Sequence, residues 1–273
     1  VLMTYPAGRI GMYVFPSTTV QTEQSAFQSA EGLTEVVLNE GLLCLGDYTF
    51  SCCSNMKAPD LPSTLETIGV CAFEYCLSMS GSLRIPANVK SIGRLAFNQD
   101  YELSDIIVEP DSRLSRLGYG SLSNCGIRDF TVPSSVSTIG QSVFSGCDNL
   151  ITVTFEADSE LQNLPAWLFE GANNLRQITF EDGSNLIHIE ARGCEGLKNL
   201  QRVTLENCEK LSLIDNYAFQ NCTSLETISL PAQLKEIGRY AFAGCSSLCR
   251  IDLPESIEYI GRYAFAGTSN INI

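Results

Sequence analysis

The sequence predicts a solenoid, a right-handed stack of about eleven coils with 23 to 25 residues each. We expect one parallel β-sheet on one side, and loops with short turns or helical turns on the other. Three observations predict this fold: an anchor residue recurs at near-constant spacing, apolar and polar residues alternate just after it, and most units carry one phenylalanine at a fixed later place.

The anchor is the first, usually apolar, residue of each unit. Successive anchors lie 23, 23, 24, 23, 24, 23, 25, 25, 25, 23 and 23 residues apart. They are Ile10, Leu33, Met56, Ser80, Leu103, Ile127, Leu150, Leu175, Leu200, Leu225, Leu248 and Ile271. One unit cannot bury its apolar side alone, so stability must come from stacking. We expect residues 1–273 to form a single domain, and, because both ends fall inside a unit, to be excised from a longer protein.

Each unit then divides into a strand, a bend and an apolar step. The strand alternates apolar and polar residues as a half-buried strand does. Proline, which removes a hydrogen-bond donor, ends it at Pro16, Pro62, Pro86, Pro133, Pro231 and Pro254. A glycine follows an isoleucine at Gly69, Gly93, Gly140, Gly238 and Gly261, where we expect a tight bend or close packing between coils.

The apolar step consists of an aromatic residue and, three residues later, a cysteine. The phenylalanines are Phe27, Phe50, Phe73, Phe97, Phe144, Phe169, Phe219, Phe242 and Phe265, with Leu122 and Cys194 in two other units. The cysteines are Cys53, Cys76, Cys125, Cys147, Cys222 and Cys245. Both sets predict inward columns. We interpret the cysteines as free, small apolar residues, because alanine replaces them at Ala30 and Ala172. Disulfides between column neighbours remain the alternative.

These motifs resemble the BspA-like leucine-rich repeats. The matching features are Leu-Pro, then Ile-Gly-x-x-Ala-Phe, then Gly-Cys-x-x-Leu, clearest at 144–150 and 230–248, and the stretch 2–9 also resembles a segment of that family. The resemblance implies a secreted or surface-anchored protein that binds other proteins, among them host extracellular matrix or another cell surface. The chain departs from the pattern at 156–161, 181–186 and 206–211, where the loop is longer and proline is absent.

Composition excludes several classes of partner. The net charge is −14, which disfavours nucleic acid and anionic membrane surfaces, since both need a basic patch. No apolar run is long enough for a transmembrane helix. We predict a monomer without cofactor or bound metal.

The candidate binding surface is the outward side of the strands. Thr131, Thr154, Thr179, Thr204 and Ser229 occupy equivalent places in successive units. They predict a hydroxyl-rich face for a protein partner. The alternative is a cross-strand ladder selected for β-propensity.

The longer loops place acidic residues beside that column. We include Glu156, Glu181 and Glu206 in the candidate site. The other acids of these loops are Asp158, Glu160, Asp182 and Glu209, and Glu109 and Asp111 begin a similar loop elsewhere. Stacked carboxylates are potential Ca²⁺ ligands, but the alternating Asp spacing of calcium loops is missing, which favours a solvated acidic edge.

An aromatic column precedes the phenylalanines by two residues, at Tyr48, Trp167, Tyr217, Tyr240 and Tyr263, with Arg94, Arg239 and Arg262 one residue earlier. It predicts either an adhesive edge or aromatic packing between coils.

The sequence predicts a non-catalytic protein. His188 is the only histidine, it stands in a turn where we expect exposure, and no nucleophile or phosphate-loop motif is present. We therefore favour a cell-surface or secreted module that binds a protein. The alternatives are a right-handed β-helix that cleaves polysaccharide, and a passive spacer. The Ala-Phe and Gly-Cys motifs argue against the β-helix.

Overall fold

The computed structural model describes residues 10–268 and divides into two compact units, unit 1 (Val1–Ile127) and unit 2 (Arg128–Ile273). Within the described residues the secondary structure consists of strands and turns, without a helix. Two features of the sequence, the stretch 2–9 and the anchor Ile271, lie outside the described residues. The predictions of a single domain and of a right-handed stack stay predictions.

The described residues of unit 1 form eight strands. They are β1 Gly11–Val14, β2 Leu33–Val37, β3 Cys44–Leu45, β4 Thr67–Ile68, β5 Gly81–Ile85, β6 Ser91–Ile92, β7 Leu103–Val108 and β8 Arg116–Leu117. The longer strands pair in parallel as β1 with β2 and β5 with β7, while β3, β4, β6 and β8 form a second parallel sheet. In the coil of Met56 the first strand is missing: residues 56–62, which include Pro59 and Pro62, form no strand, and proline has no ladder donor.

In unit 2, residues 128–268 form twelve strands. They are β9 Asp129–Val132, β10 Thr138–Ile139, β11 Thr152–Phe155, β12 Asn163–Leu164, β13 Gln177–Phe180, β14 His188–Ile189, β15 Arg202–Thr204, β16 Leu213–Ile214, β17 Thr227–Ile228, β18 Glu236–Ile237, β19 Arg250–Ile251 and β20 Tyr259–Ile260. β9, β11, β13 and β15 form one parallel sheet, and β17 pairs with β19. β12, β14, β16, β18 and β20 form another.

Each unit is therefore a parallel-strand solenoid with two ladders. The first ladder contains the predicted strands, which begin at or just after the anchors, and prolines such as Pro86 and Pro133 follow the strand ends directly. The second ladder consists of two-residue strands around the isoleucine that precedes the bend. The alternating residues predict the first ladder, whereas only turns are expected where the second one lies.

The predicted phenylalanine column is the core of both units. Within unit 1, Phe50 and Phe73 stack with ring centroids 5.4 Å apart, and Phe73 and Phe97 with 5.3 Å. In unit 2, Phe144 and Phe169 lie 5.5 Å apart. All of these rings are buried. Each such burial stabilises the fold by roughly 1.5–3 kcal/mol.

Glycines after the isoleucine serve close packing between coils. A Cβ built on Gly93 would lie 2.4 Å from the carbonyl carbon of Gly69, and one on Gly261 would lie 2.4 Å from the backbone nitrogen of Arg239. Neither glycine has a left-handed backbone. Of the two predicted roles, the close approach of neighbouring coils is the one that the structure shows.

Left-handed backbone occurs at two other places in each coil. The residue two positions before the phenylalanine place has φ between 50° and 63° in every described coil, from Ser25 to Tyr263. The residue two positions after that place is also left-handed. It is glycine or asparagine from Asn124 onward, whereas the four earlier coils place Ser29, Cys52, Tyr75 and Gln99 there. The second position explains the glycine before the column cysteine, since glycine and asparagine tolerate this conformation.

Candidate functional site

The threonine column is built by the first ladder of unit 2. Thr154 on β11 lies opposite Thr131 on β9 and Thr179 on β13, and Thr179 lies opposite Thr204 on β15. A bridge then joins Thr204 to Ser229. The structure therefore places the five hydroxyl residues in one row, as the spacing predicts.

Exposure differs along this row. Thr131 and Ser229 are exposed, and Thr154 and Thr179 are half-buried. Thr204 is buried at 7 % exposure, so its expected exposure is wrong. Its hydroxyl accepts the backbone N–H of Phe180 at 2.7 Å and lies 3.2 Å from the Phe180 carbonyl, which also accepts a hydrogen bond from Nδ2 of Asn207. β15 ends at Thr204, and the hydroxyl of Thr204 supplies the acceptor for the Phe180 N–H that a backbone carbonyl supplies within a ladder.

Two of the three acidic candidates hold coils together. A carboxylate oxygen of Glu156 accepts the backbone N–H of Ser134 at 2.9 Å, and one of Glu181 accepts the N–H of Ala157 at 3.0 Å. In unit 1, Glu109 does the same for Ala87 at 3.2 Å. Charge-assisted bonds of this kind are stronger than neutral ones. The sequence analysis missed this role, although the recurrence of glutamate just after the strand was its signal.

Glu206 is the exception in this series. It makes no such bond to the preceding coil, and it lines an open groove of about 300 Å³ on the strand side of unit 2. The groove lies between the coils of β15 and β17 and is lined by Gln201, Arg202, Val203, Glu206, Glu226, Thr227 and Ser229. Of the eight residues named for the candidate surface, Glu206 and Ser229 line it. Two carboxylates, one guanidinium and two hydroxyls make the groove polar, with a surplus of negative charge.

The acidic loops do not assemble into a metal site in the part of the chain that the structure describes. No group of three histidine, cysteine, aspartate or glutamate side chains there is placed to hold an ion. The carboxylates of Glu156 and Glu181 are directed to backbone N–H groups of neighbouring coils instead.

The aromatic column packs between coils, as one of the two interpretations predicts. Tyr217 and Tyr240 stack at 5.4 Å, and Tyr240 and Tyr263 at 5.1 Å. Arg192 takes the aromatic place in its own coil, and its guanidinium lies 5.0 Å from the Trp167 ring centroid and 4.6 Å from that of Tyr217. The arginine thus bridges the two rings by cation–π contacts. The same guanidinium binds Glu195 at 2.8 Å.

His188 lies on β14 and is half-buried, so the expected exposure is wrong. Its Nε2 is 3.5 Å from Oδ2 of Asp215, beyond ordinary hydrogen-bond length. Within residues 10–268, Nε2 has no hydrogen-bond partner. No serine or cysteine of the described residues therefore forms a hydrogen-bonded pair with this Nε2.

The twelve cysteines, all within the described residues, are thiols and form no disulfide. The six predicted column members are buried, and the thiol of Cys76 donates to the carbonyl of Phe50 at 3.1 Å, as that of Cys245 does to Phe219. Burial raises the pKa of the Cys53 thiol to about 12 and that of Cys76 well above its ordinary value. Because the thiolate is the reactive form, such thiols are inert and structural.

The fold and the site define a leucine-rich-repeat solenoid whose strand side carries polar residues. The chain belongs to the BspA type leucine rich repeat family, whose model matches in six copies over residues 9–114, 79–192 and 162–273. A search of curated proteins finds no match.

Three similar solved structures are bacterial proteins. A leucine-rich repeat protein from Bacteroides ovatus is 24 % identical over 94 % of this chain and 84 % of its own, with a TM-score of 0.55. A leucine rich cell surface protein from Faecalibacterium prausnitzii is 18 % identical over 95 % and 83 %, with a TM-score of 0.51. The pneumococcal vaccine antigen PcpA is 18 % identical over 98 % and 79 %, with a TM-score of 0.54. These similarities support the fold.

A search of the described residues for a helix with the length and apolarity needed to span a bilayer finds none.

Proposed function

We propose that this chain is a non-catalytic binding module, secreted or held at a cell surface, that binds a protein partner through the strand side of unit 2. The observation that carries the proposal is the groove beside β15, where Glu206 is free of the coil-to-coil bond that Glu156 and Glu181 make. A repeat protein offers a broad face to a partner, and a polar groove within that face supplies specificity.

The location of the protein is part of the proposal. The similarity to a structure described as a leucine rich cell surface protein supports it, as does the similarity to one described as a vaccine antigen. The proposed partner belongs to host extracellular matrix or to another cell surface. We propose that the chain acts as a monomer and as one domain over residues 1–273, without nucleic acid, metal or cofactor.

The first experiment identifies the partner. The purified chain is screened on an array of matrix proteins and glycans, and the affinity of each retained protein is measured by surface plasmon resonance. We expect a matrix or surface protein to bind in the micromolar range or tighter. Release of reducing sugar from a polysaccharide would instead support the enzymatic alternative.

Two matched variants then test the groove. Glu206→Gln removes one charge inside the groove, while Glu209→Gln removes one from an exposed residue of the same loop outside it. We expect the first to weaken binding at least several-fold and the second to leave it unchanged. Equal effects from both would attribute binding to net charge and would contradict a specific site.

A second pair tests the row of hydroxyls. Thr131→Glu with Thr154→Glu adds two charges to the first ladder, and Gln162→Glu with Gln233→Glu adds two at exposed positions beside the second ladder. The proposal requires loss of binding in the first double variant alone. Thr204 is left unchanged because its hydroxyl is buried in backbone bonds.

A further inference from the structure

Asp100 occupies the place of a column cysteine in unit 1. It follows Phe97 by three residues, as Cys53 follows Phe50 and Cys76 follows Phe73. Its side chain is fully buried at 0 % exposure. An ionised carboxylate is among the most unfavourable groups to bury unless its oxygens are paired.

Only one of the two carboxyl oxygens is paired within the described residues. Oδ1 accepts the backbone N–H of Cys76 at 2.8 Å, and Oδ2 has no hydrogen-bond partner. No lysine or arginine forms an ion pair with it. The ionisable groups around it are Glu74 and the thiol of Cys76 on the preceding coil, and the next column member is the thiol of Cys125. Each of these carries no positive charge in either of its forms.

The thiols of the neighbouring coils indicate that this place in the repeat requires a hydrogen-bond donor. Cys76 donates to the carbonyl of Phe50 at 3.1 Å, and Cys125 donates to that of Phe97 at 3.0 Å. From the same repeat, we expect a donor at position 100 to reach the carbonyl of Phe73. A carboxylate has no donor, whereas a protonated carboxyl has one O–H.

We propose that Asp100 is protonated in the folded protein, that its Oδ2–H donates to the Phe73 carbonyl where other coils use a thiol, and that loss of this proton opens unit 1 as the pH rises. The aspartate is then a neutral hydrogen-bond equivalent of cysteine and, unlike cysteine, it makes the stability of its unit sensitive to pH.

The electrostatic surroundings agree with this role. Burial raises the pKa of the Asp100 carboxyl well above its ordinary value and the charge of Glu74 raises it further, while the bond from Cys76 N–H opposes the rise. A group whose pKa is raised on folding stabilises the fold fully below its unfolded pKa and loses that contribution as the pH rises through the folded value. Between the unfolded and the folded value, the equilibrium constant for opening grows about tenfold per pH unit, and above the folded value it levels off.

The full chain contains its own control for the test. Cys76 in unit 1 and Cys222 in unit 2 are both buried thiols that donate to a carbonyl of the preceding coil, at 3.1 Å in each case. Both are labelled with a maleimide at a series of pH values, and the rates are read by peptide mass spectrometry. The ratio of the two rates cancels the intrinsic pH dependence of thiol chemistry and reports the opening of unit 1.

Two variants separate protonation from packing. Asp100→Cys restores the column residue, and Asp100→Asn keeps a polar side chain of similar size that cannot ionise. We expect the Cys76 to Cys222 ratio to rise with pH in the natural chain, by up to tenfold per unit, and to stay flat in both variants. A flat ratio in the natural chain, or an equal rise in Asp100→Cys, would overturn the proposal. Infrared spectroscopy adds a direct readout: a carboxylic acid C=O band that both variants lack supports protonation, and its absence from the natural chain refutes it.

Discussion

Replacing Gly93 with alanine tests the packing of neighbouring coils in unit 1. The new Cβ would lie 2.4 Å from both the carbonyl carbon and the oxygen of Gly69 and 2.6 Å from the nitrogen of Val70, all of them backbone atoms. Ordinary Cβ contacts begin near 3.4 Å, so the two coils must separate by about 1 Å. No side chain in this contact can rotate away.

Two effects of opposite sign compete in this variant. Alanine restricts the unfolded chain and would stabilise a glycine site with ordinary backbone by about 0.4–1 kcal/mol. Forced overpacking destabilises by about 1–3 kcal/mol or more, and here it strikes rigid backbone on the preceding coil. The steric effect is therefore the larger, and we expect Gly93→Ala to lower the free energy of unfolding by about 3 kcal/mol.

The control is Gly196→Ala, which tests backbone strain without a steric clash. Gly196 has a φ of +75° and nothing within 4 Å of the place that a Cβ would take, so alanine there meets backbone strain alone. That strain is worth about 1–2 kcal/mol. Urea denaturation followed by circular dichroism measures both variants. If Gly93→Ala proved as stable as the natural chain, or if Gly196→Ala were the more damaging change, close packing would not be the reason for the glycine column.

Two further predictions concern side chains of unit 2. Arg192→Ala removes the cation–π bridge between Trp167 and Tyr217, so we expect the free energy of unfolding to fall by about 1–2 kcal/mol. The fluorescence of Trp167, the only tryptophan, should change as well. Unchanged emission would mean that the bridge is absent in solution. Thr204→Val leaves the buried N–H of Phe180 unpaired, which should destabilise unit 2 by about 1–3 kcal/mol in thermal or urea unfolding, and an unaltered stability would contradict the assigned hydrogen bond.

The repeat period predicted which residues share a column. Anchors, phenylalanines and cysteines recur because each must fill the same layer of the core, so their burial follows from spacing alone. The row from Thr131 to Ser229 follows for the same reason, since parallel strands of equal period are in register. The fold could therefore be predicted almost in full.

The exposure and hydrogen bonds of individual side chains could not be predicted in the same way. Thr204 is buried while Thr131 is exposed, although both hold one place in the repeat, because β15 is shorter and its side chain completes the ladder. Glu156 is bonded to the preceding coil and Glu206 is not, since the turn that follows β15 is anchored to Phe180 through Asn207. These differences arise from loop conformation, which spacing does not record. The second ladder escaped prediction because two-residue strands have no periodicity to detect.

The buried position of Asp100 was not predicted from the sequence. Aligning each coil on its phenylalanine places this aspartate in the cysteine column, so the signal was present in the sequence. A carboxyl among buried thiols contradicts the ordinary preference of aspartate for solvent. The conflict between residue type and position singles it out.

The most direct test of the binding proposal is a footprint of the bound partner by hydrogen–deuterium exchange. With the protein retained on the array at saturating concentration, we expect added protection on β13, β15 and the loop that carries Glu206, and none along the second ladder. Protection confined to unit 1, for example at its own groove lined by residues 35–38 and 57–60, would contradict the account.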